Sequence, residues 1–117
     1  WFRKNMTSQQ INSFFIKTDY RLERIQFDDI LFAESDRDYI KLYLSSQHEP
    51  ISSLMNLKDL EEHLPATMFM RIHRSFIINL NKINRIERNQ VIIGNQRITI
   101  AETYRLPFTN YLQKHTL

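Results

Sequence analysis

A chain of 117 residues with 42% hydrophobic residues can form one domain with a single modest core. It has no cysteine, which excludes a disulfide scaffold and a zinc–thiolate site. Its apolar runs, such as Ile30–Ala33, are too short to cross a bilayer. We therefore expect a cytoplasmic protein without membrane contact. The net charge is only +3, but the charges are distributed unevenly. Residues 19–62 carry 11 acidic and 5 basic side chains, whereas residues 68–105 carry 7 basic and 2 acidic ones. The C-terminal half is therefore a candidate surface for a polyanion, and a solvated strand face is the alternative.

The first residues read as a polar lead-in. Residues 1–13 show no clear hydrophobic period, and the charges of Arg3 and Lys4 are not followed by the apolar core of a signal peptide. We expect the folded domain to occupy residues 14–117. The opening also looks cut from a longer protein, whose missing part would be a receiver, sensory or membrane domain.

Strand signals are dense from Phe14 onward. Two apolar-rich runs, 14–17 and 22–27, flank four polar residues and predict a hairpin. A nearly continuous apolar run over residues 30–34 predicts a buried strand, and residues 35–38 break the pattern as a loop.

The next segment, residues 38–44, alternates clearly. Ile40, Leu42 and Leu44 share one face, and the residues between them share the other. We therefore expect one face to meet the core and the other to meet solvent or a ligand. A short strand follows over residues 50–54.

The hydrophobic period then becomes that of a helix. Leu57, Leu60 and Leu64 fall at helical spacing, Asn56 is a plausible N-cap, and Pro65 ends the helix.

The C-terminal half returns to strands and closes with a helix. Polar residues crowd the first part of residues 69–81 and apolar ones the second, which predicts a loop or one helical turn leading into a strand at about Ser75. The single glycine, in Gly94-Asn95, predicts a tight hairpin turn, and Pro107 is expected near a helix start. The remaining predicted elements are strands over residues 83–88, 90–93 and 96–100 and a helix over residues 102–115. The fold class is thus mostly β and antiparallel, with two short helices.

An enzymatic function has little support in this sequence. The four histidines do not fall at metal-ligand spacing, one glycine cannot form a phosphate-binding loop, and no serine lies in a nucleophile elbow. Glu61 and Glu62 are adjacent carboxylates, which we interpret as a solvated helix face, and His63 as a partner of the terminal helix carbonyls. We therefore expect no catalytic residue, no metal and no cofactor.

The run from Arg71 to Asn79 has the composition of a polyanion contact. It places two arginines, a histidine and a serine within five positions beside an apolar strand. Arginine binds guanine bidentately or clamps a phosphate, and serine, histidine and main-chain N–H groups donate to phosphate oxygens. The alternative is that Arg71 and His73 lie on one side of an extended segment and satisfy buried carbonyls or acids.

This run and its neighbours resemble the signature of LytTR DNA-binding domains. The pieces stand in the order and spacing of that family and extend over about residues 14–112. They are Leu57–Pro65 and Phe69 before the run, Asn81–Ile86 after it, and Asp29–Ser35 with Asp38 and Tyr39 nearer the N-terminus.

The resemblance implies an elongated arrangement of three antiparallel β-sheets with short helices. It also implies the C-terminal output half of a bacterial two-component response regulator, joined to an N-terminal receiver or sensory domain. Such domains bind tandem promoter repeats in double-stranded DNA and insert loops into successive major grooves. We accordingly expect sequence-specific DNA binding in transcription regulation, with copies pairing along repeated sites.

Three segments match the family's groove contacts by position. They are Arg37, Asp38 and Tyr39 after the third strand, Arg74 in the central run, and Thr103, Tyr104 and Arg105 after the last strand. The side chains expected to contact phosphates are Lys41, Arg71, His73, Ser75 and Lys82. The third segment departs from the family pattern, because Ala101-Glu102-Thr103 stands where many members carry a Ser-Arg-Arg-like run. Glu102 is repelled by phosphates unless it points away, pairs with an arginine or accepts from a cytosine.

A β-rich protein-interaction module, whose Arg-rich face docks an acidic partner, is the second hypothesis. It predicts salt-sensitive binding to a protein and no preference among duplexes. RNA recognition has weaker support, because only Tyr39 and Tyr43 suggest exposed stacking aromatics. Tyr39 is consistent either with packing at the rim or with a contact to a thymine methyl group. His73 is consistent either with a structural role or with a phosphate contact.

Overall fold

The computed structural model describes residues 12–117, and within that range the chain forms ten strands and two α-helices. The strands are β1 (Ser13–Lys17), β2 (Leu22–Gln26), β3 (Ile30–Asp36), β4 (Tyr39–Leu44), β5 (Ile51–Leu54), β6 (Phe69–His73), β7 (Phe76–Asn79), β8 (Arg85–Glu87), β9 (Gln90–Ile93) and β10 (Gln96–Thr99). The helices are α1 (Leu57–His63) and α2 (Arg105–His115), and three short 3-10 turns cover Phe27–Asp29, Leu80–Lys82 and Glu102–Tyr104. The lead-in predicted for residues 1–13 lies, as far as residue 11, outside the described residues.

The strands form three antiparallel sheets. β1 and β2 make a two-stranded sheet, β10-β9-β8 a three-stranded one, and β5-β4-β3-β7-β6 a central five-stranded one. The predicted architecture, mostly β with three antiparallel sheets and two short helices, is confirmed.

The central sheet is covered on both faces. One face packs against β1, β2 and α1 through a cluster of buried side chains that includes Ile40 and Leu60. The other packs against the three-stranded sheet and α2 through a cluster that includes Ile78, Ile93 and Phe108. The packing covers most strands on both faces, but at the β4–β5 edge the second face stays open at the paired residues Tyr39, 36% exposed, and Leu54, 68% exposed. No helix in residues 12–117 is long and apolar enough to cross a membrane.

Local chemistry sets several boundaries as predicted. The Asn56 side chain caps α1 by accepting from the Asp59 main-chain N–H at 2.8 Å. The helix ends at His63, because Leu64 precedes Pro65 and has extended backbone angles, which proline favours in the residue before it. Ile40, Leu42 and Leu44 on β4 are buried, as the alternation predicts.

Two predicted loops are wrong. Ser35 and Asp36 continue β3 and pair with Ile40 and Tyr39, so the predicted four-residue loop shrinks to a two-residue turn. The polar first half of residues 69–81 is the strand β6 instead of a loop or helical turn. β6 is an edge strand with a bulge between Arg71 and His73, which breaks the two-residue alternation that would have identified it.

Asn79 joins β7 to the start of β3. Its side chain is fully buried, and its amide Nδ2 donates to the Ile30 carbonyl at 2.9 Å and to the Phe27 carbonyl at 3.4 Å. Its Oδ1 accepts from the main-chain N–H of Asn81 at 2.9 Å. One side-chain amide therefore serves as the hydrogen-bond partner of three main-chain groups, the carbonyls of Ile30 and Phe27 and the N–H of Asn81.

Candidate nucleic-acid interface

The two turns that carry Arg37 and Arg74 lie at the same end of the central sheet. β3 and β7 are antiparallel neighbours, so the turn that follows β3 and the turn that precedes β7 meet there. The main-chain N–H of Ser35 donates to the Ser75 carbonyl at 2.9 Å and ties the two turns together. Both Arg37 and Arg74 are exposed. The fold thus brings together two of the segments that the sequence singled out.

The acidic and basic side chains in and beside the β3–β4 turn, formed by Arg37 and Asp38, offset one another's charge. Lys41 on β4 lies 3.4 Å from the Asp36 carboxylate, and this contact raises the pKa of Lys41. Tyr39 is 36% exposed beside them. Because the acids offset Arg37 and Lys41, this turn offers directed hydrogen bonds more than net positive charge.

Arg71 braces the β6–β7 turn, formed by Arg74 and Ser75, from inside. Its guanidinium donates to the Arg74 carbonyl at 2.6 Å and to the His73 carbonyl at 3.3 Å, and lies 3.7 Å from the Glu61 carboxylate on α1. The Arg71 side chain is only 21% exposed. The geometry matches the structural alternative considered for Arg71, in which it satisfies carbonyls and an acid. The solvated helix face predicted for Glu61 does not include this pairing with Arg71, because the pairing depends on tertiary packing.

Replacement of Arg71 with methionine separates a bracing role from a phosphate contact. The methionine keeps an apolar stem of similar length but removes the donors to the turn, so we expect a loss of about 1 kcal/mol in the free energy of unfolding. We expect weaker DNA binding with an unchanged dependence on salt. Measurement of log K against log salt tests this, since a decrease of about one in the slope would identify Arg71 as a phosphate contact.

His73 and Ser75 have defined hydrogen-bond roles in the same turn. The main-chain N–H of Ser75 donates to Nδ1 of His73 at 3.0 Å, and the imidazole packs edge-on against Phe76 with ring centroids 5.6 Å apart. Because Nδ1 accepts, the neutral ring carries its proton on Nε2. His73 is therefore a structural residue of the turn whose remaining N–H is suited to a phosphate oxygen.

The third predicted segment lies alongside β6. The main-chain N–H of Ala101 donates to the Ile72 carbonyl at 2.8 Å, two residues before Arg74. Thr103 and Arg105 are exposed and Tyr104 is half-buried. Arg105 Nε donates to the Ile100 carbonyl at 3.4 Å, which holds this side chain against the end of the preceding strand segment. The fold thus places Thr103, Tyr104 and Arg105 beside β6, the strand that leads into the β6–β7 turn.

Lys82 is the predicted contact that lies elsewhere. It follows β7 at the end away from the two turns, about 13 Å along a four-residue strand. Its charge helps to lower the pKa of Asp29 at that end. The structure therefore separates Lys82 from the other predicted side chains.

Asp29 itself links β3 to the segment after β4. Its carboxylate accepts from the hydroxyls of Ser45 at 2.6 Å and Ser46 at 2.5 Å. Partial burial acts to raise the pKa of Asp29, but these hydrogen bonds outweigh it and the pKa is lowered.

Because the folded pKa of Asp29 lies below its unfolded value, the carboxylate stabilises the fold above the unfolded pKa, and that contribution is lost as the pH falls through the folded pKa. Asp29→Ala should therefore reduce the free energy of unfolding by about 1 kcal/mol at pH 7. The difference from the wild type should shrink below about pH 4. Urea unfolding at several pH values measures it, and exposed Asp28, replaced in the same way, is the control. A pH-independent difference would contradict the assignment.

Within residues 12–117 no group of three or more histidine, aspartate or glutamate side chains is placed to hold a metal ion.

The family of this chain follows from comparison with known proteins. The family model described as the LytTr DNA-binding domain matches residues 20–113. The sensory transduction protein LytT of Enterococcus faecalis is 27% identical over 103 residues, which is 83% of this chain and 42% of that protein. The transcriptional regulatory protein YpdB of Escherichia coli K12 is 36% identical over 69 residues, 59% of this chain and 28% of that protein.

The solved LytTr DNA-binding domain from Bacillus cereus superposes with a TM-score of 0.75 at 22% identity, covering 88% of this chain and 98% of that one. This likeness concerns the fold. The chain spans less than half the length of the two curated relatives. With the family model matched over most of its length, this chain belongs to the LytTR family of DNA-binding domains.

Proposed function

We propose that this domain binds double-stranded DNA sequence-specifically, as the output domain of a two-component response regulator, with its turns in the major grooves of repeated promoter sites. The observation that carries the proposal is the joining of two exposed arginine turns by the hydrogen bond from Ser35 to Ser75. The rigid ladder below these turns fixes Arg37 and Arg74 relative to each other, which base recognition requires.

The spacing of the turns suggests how the domain lies on DNA. The β3–β4 and β6–β7 turns are two strand spacings apart, about 10 Å, whereas successive major grooves on one face are about 34 Å apart. We therefore propose that, along the DNA, the β3–β4 turn makes the contact on one side and the Thr103–Arg105 segment makes the contact on the other. Arg74 then lies between them.

The proposal also covers the protein's setting. In the proposed arrangement a receiver or sensory domain precedes this one in the full-length chain, and copies pair along repeated DNA sites. The domain acts in the cytoplasm, where bacterial promoters lie. The names of the relatives, a sensory transduction protein and a transcriptional regulatory protein, support this setting.

Selection of bound sequences from a random duplex pool tests the function directly. We expect enrichment of a motif that occurs as repeats, and the enriched spacing reports how copies are arranged. Competition of the selected duplex with random duplex should show a preference of at least 10³-fold. If no duplex is preferred, while an acidic protein is bound in a salt-sensitive manner, the interaction-module hypothesis replaces this one.

A further inference from the structure

The turn between β8 and β9, formed by Arg88 and Asn89, lies at the interface end of the molecule. The Ile100 N–H donates to the Asn89 carbonyl at 2.8 Å, and the next residue, Ala101, donates to the Ile72 carbonyl at 2.8 Å. These two bonds connect the β8–β9 turn to β6 close to Arg74. The β8–β9 turn is therefore bonded to residue 100, close to where the chain enters the Thr103–Arg105 segment.

Arg88 adopts a backbone conformation that suits glycine better. Its φ is 59°, and Arg37 has a φ of 61°; these are the two positive values among the non-glycine residues of the described range. Such a conformation is disfavoured for an L-residue with a Cβ. The same φ, 59°, occurs at Gly94, in the turn at the opposite end of the three-stranded sheet. The chain thus has glycine at the far end and a strained arginine at both interface turns.

The charge of Arg88 is also available. Its neighbours Arg85 and Arg97 both pair with Glu87, at 3.0 and 3.1 Å, and Arg85 first and then Arg97 lower the pKa of that carboxyl. Glu87 is therefore already shared by two guanidinium groups. No ion pair joins Arg88 to an acid among residues 12–117, and the residue is exposed.

We propose that the β8–β9 turn is a fourth DNA-contacting segment, in which Arg88 binds a backbone phosphate that flanks the groove reached by the Thr103–Arg105 segment. The inference rests on the proposed function, because it assumes a duplex across this end. A phosphate is the expected target because Arg88 stands at the edge of the row of turns, outside the elements that enter grooves, where backbone contacts position a domain.

Substitution of Arg88 tests the proposal on the selected duplex. Arg88→Ala should lower affinity about 3- to 10-fold, equally for selected and unrelated duplexes, and reduce the slope of log K against log salt by about one. Arg88→Lys keeps the charge and should keep the slope. Arg88→Gly should lose affinity as the alanine variant does while the fold becomes no less stable, which separates the guanidinium from the backbone strain. Arg97→Ala removes an equal charge from the same sheet and is the matched control, with a smaller effect.

Two results would overturn the proposal in distinguishable ways. If Arg88→Ala keeps wild-type affinity and salt slope while Arg74→Ala weakens binding, the fourth contact is wrong and the proposed function stands. If the wild-type domain prefers no duplex, both the proposed function and the proposed Arg88 contact are wrong.

Discussion

Arg74→Ala should weaken binding to the selected duplex by 1–3 kcal/mol, a loss of roughly 5- to 150-fold, and relax specificity at one base position. Arg74 is exposed at the centre of the proposed row of contacts, on a turn that other side chains already hold. The carbonyl of residue 74 that accepts from Arg71 belongs to the main chain, so alanine retains this bond. The free energy of unfolding should accordingly change little. Affinity for the selected duplex and for single-base variants of it measures the effect.

A lysine at position 74 serves as the control for charge. Lysine keeps the positive charge but lacks the planar fork that binds guanine bidentately. If Arg74 reads a base, Arg74→Lys should lose specificity almost as alanine does while keeping the salt slope. Equal affinity of Arg74→Ala and wild type for the operator would remove the β6–β7 turn from the proposed interface.

Local signals were sufficient to predict much of the fold. The alternation in β4, the Asn56 cap and the glycine turn at Gly94 are each decided by neighbours within a few residues, and the structure has all three. The failures have a common cause. The local pattern does not identify β6, because this edge strand exposes polar residues and carries a bulge, and its pairing partner β7 lies later in the chain.

In the candidate site, too, local signals indicate the residues but not how they are brought together. Residue types and family position indicated Arg37, Arg74 and the Thr103–Arg105 segment, but their assembly at one end depends on the strand order β4-β3-β7-β6, which no local pattern contains. Lys82 is basic and near the motif in sequence, which predicts a contact, but the direction of β7 places it at the other end of the sheet. The sequence does not indicate the β8–β9 turn, since a positive φ at an arginine has no sequence signal.

The buried amide of Asn79 leads to the largest expected effect on stability. Asn79→Ala removes donors from the Ile30 and Phe27 carbonyls and an acceptor from the Asn81 N–H, at a site with no exposure. A buried group left without its partner costs about 1–3 kcal/mol. Because the 3.4 Å contact to the Phe27 carbonyl is weak, we expect a total loss of about 2–4 kcal/mol in the free energy of unfolding, measured by urea denaturation.

Asn79→Asp distinguishes hydrogen bonding from packing, because aspartate has nearly the shape of asparagine. The acid can still accept from the Asn81 N–H, but it presents an oxygen instead of a donor to the Ile30 carbonyl, and it buries a charge. We therefore expect it to destabilise the domain at least as much as alanine at pH 7. Asn81→Ala, which leaves the main-chain N–H in place and removes only an exposed side chain, should stay within about 0.5 kcal/mol of wild type. Near-wild-type stability of Asn79→Asp would mean that the position fills space and that the amide bonds contribute little to holding β7 against β3.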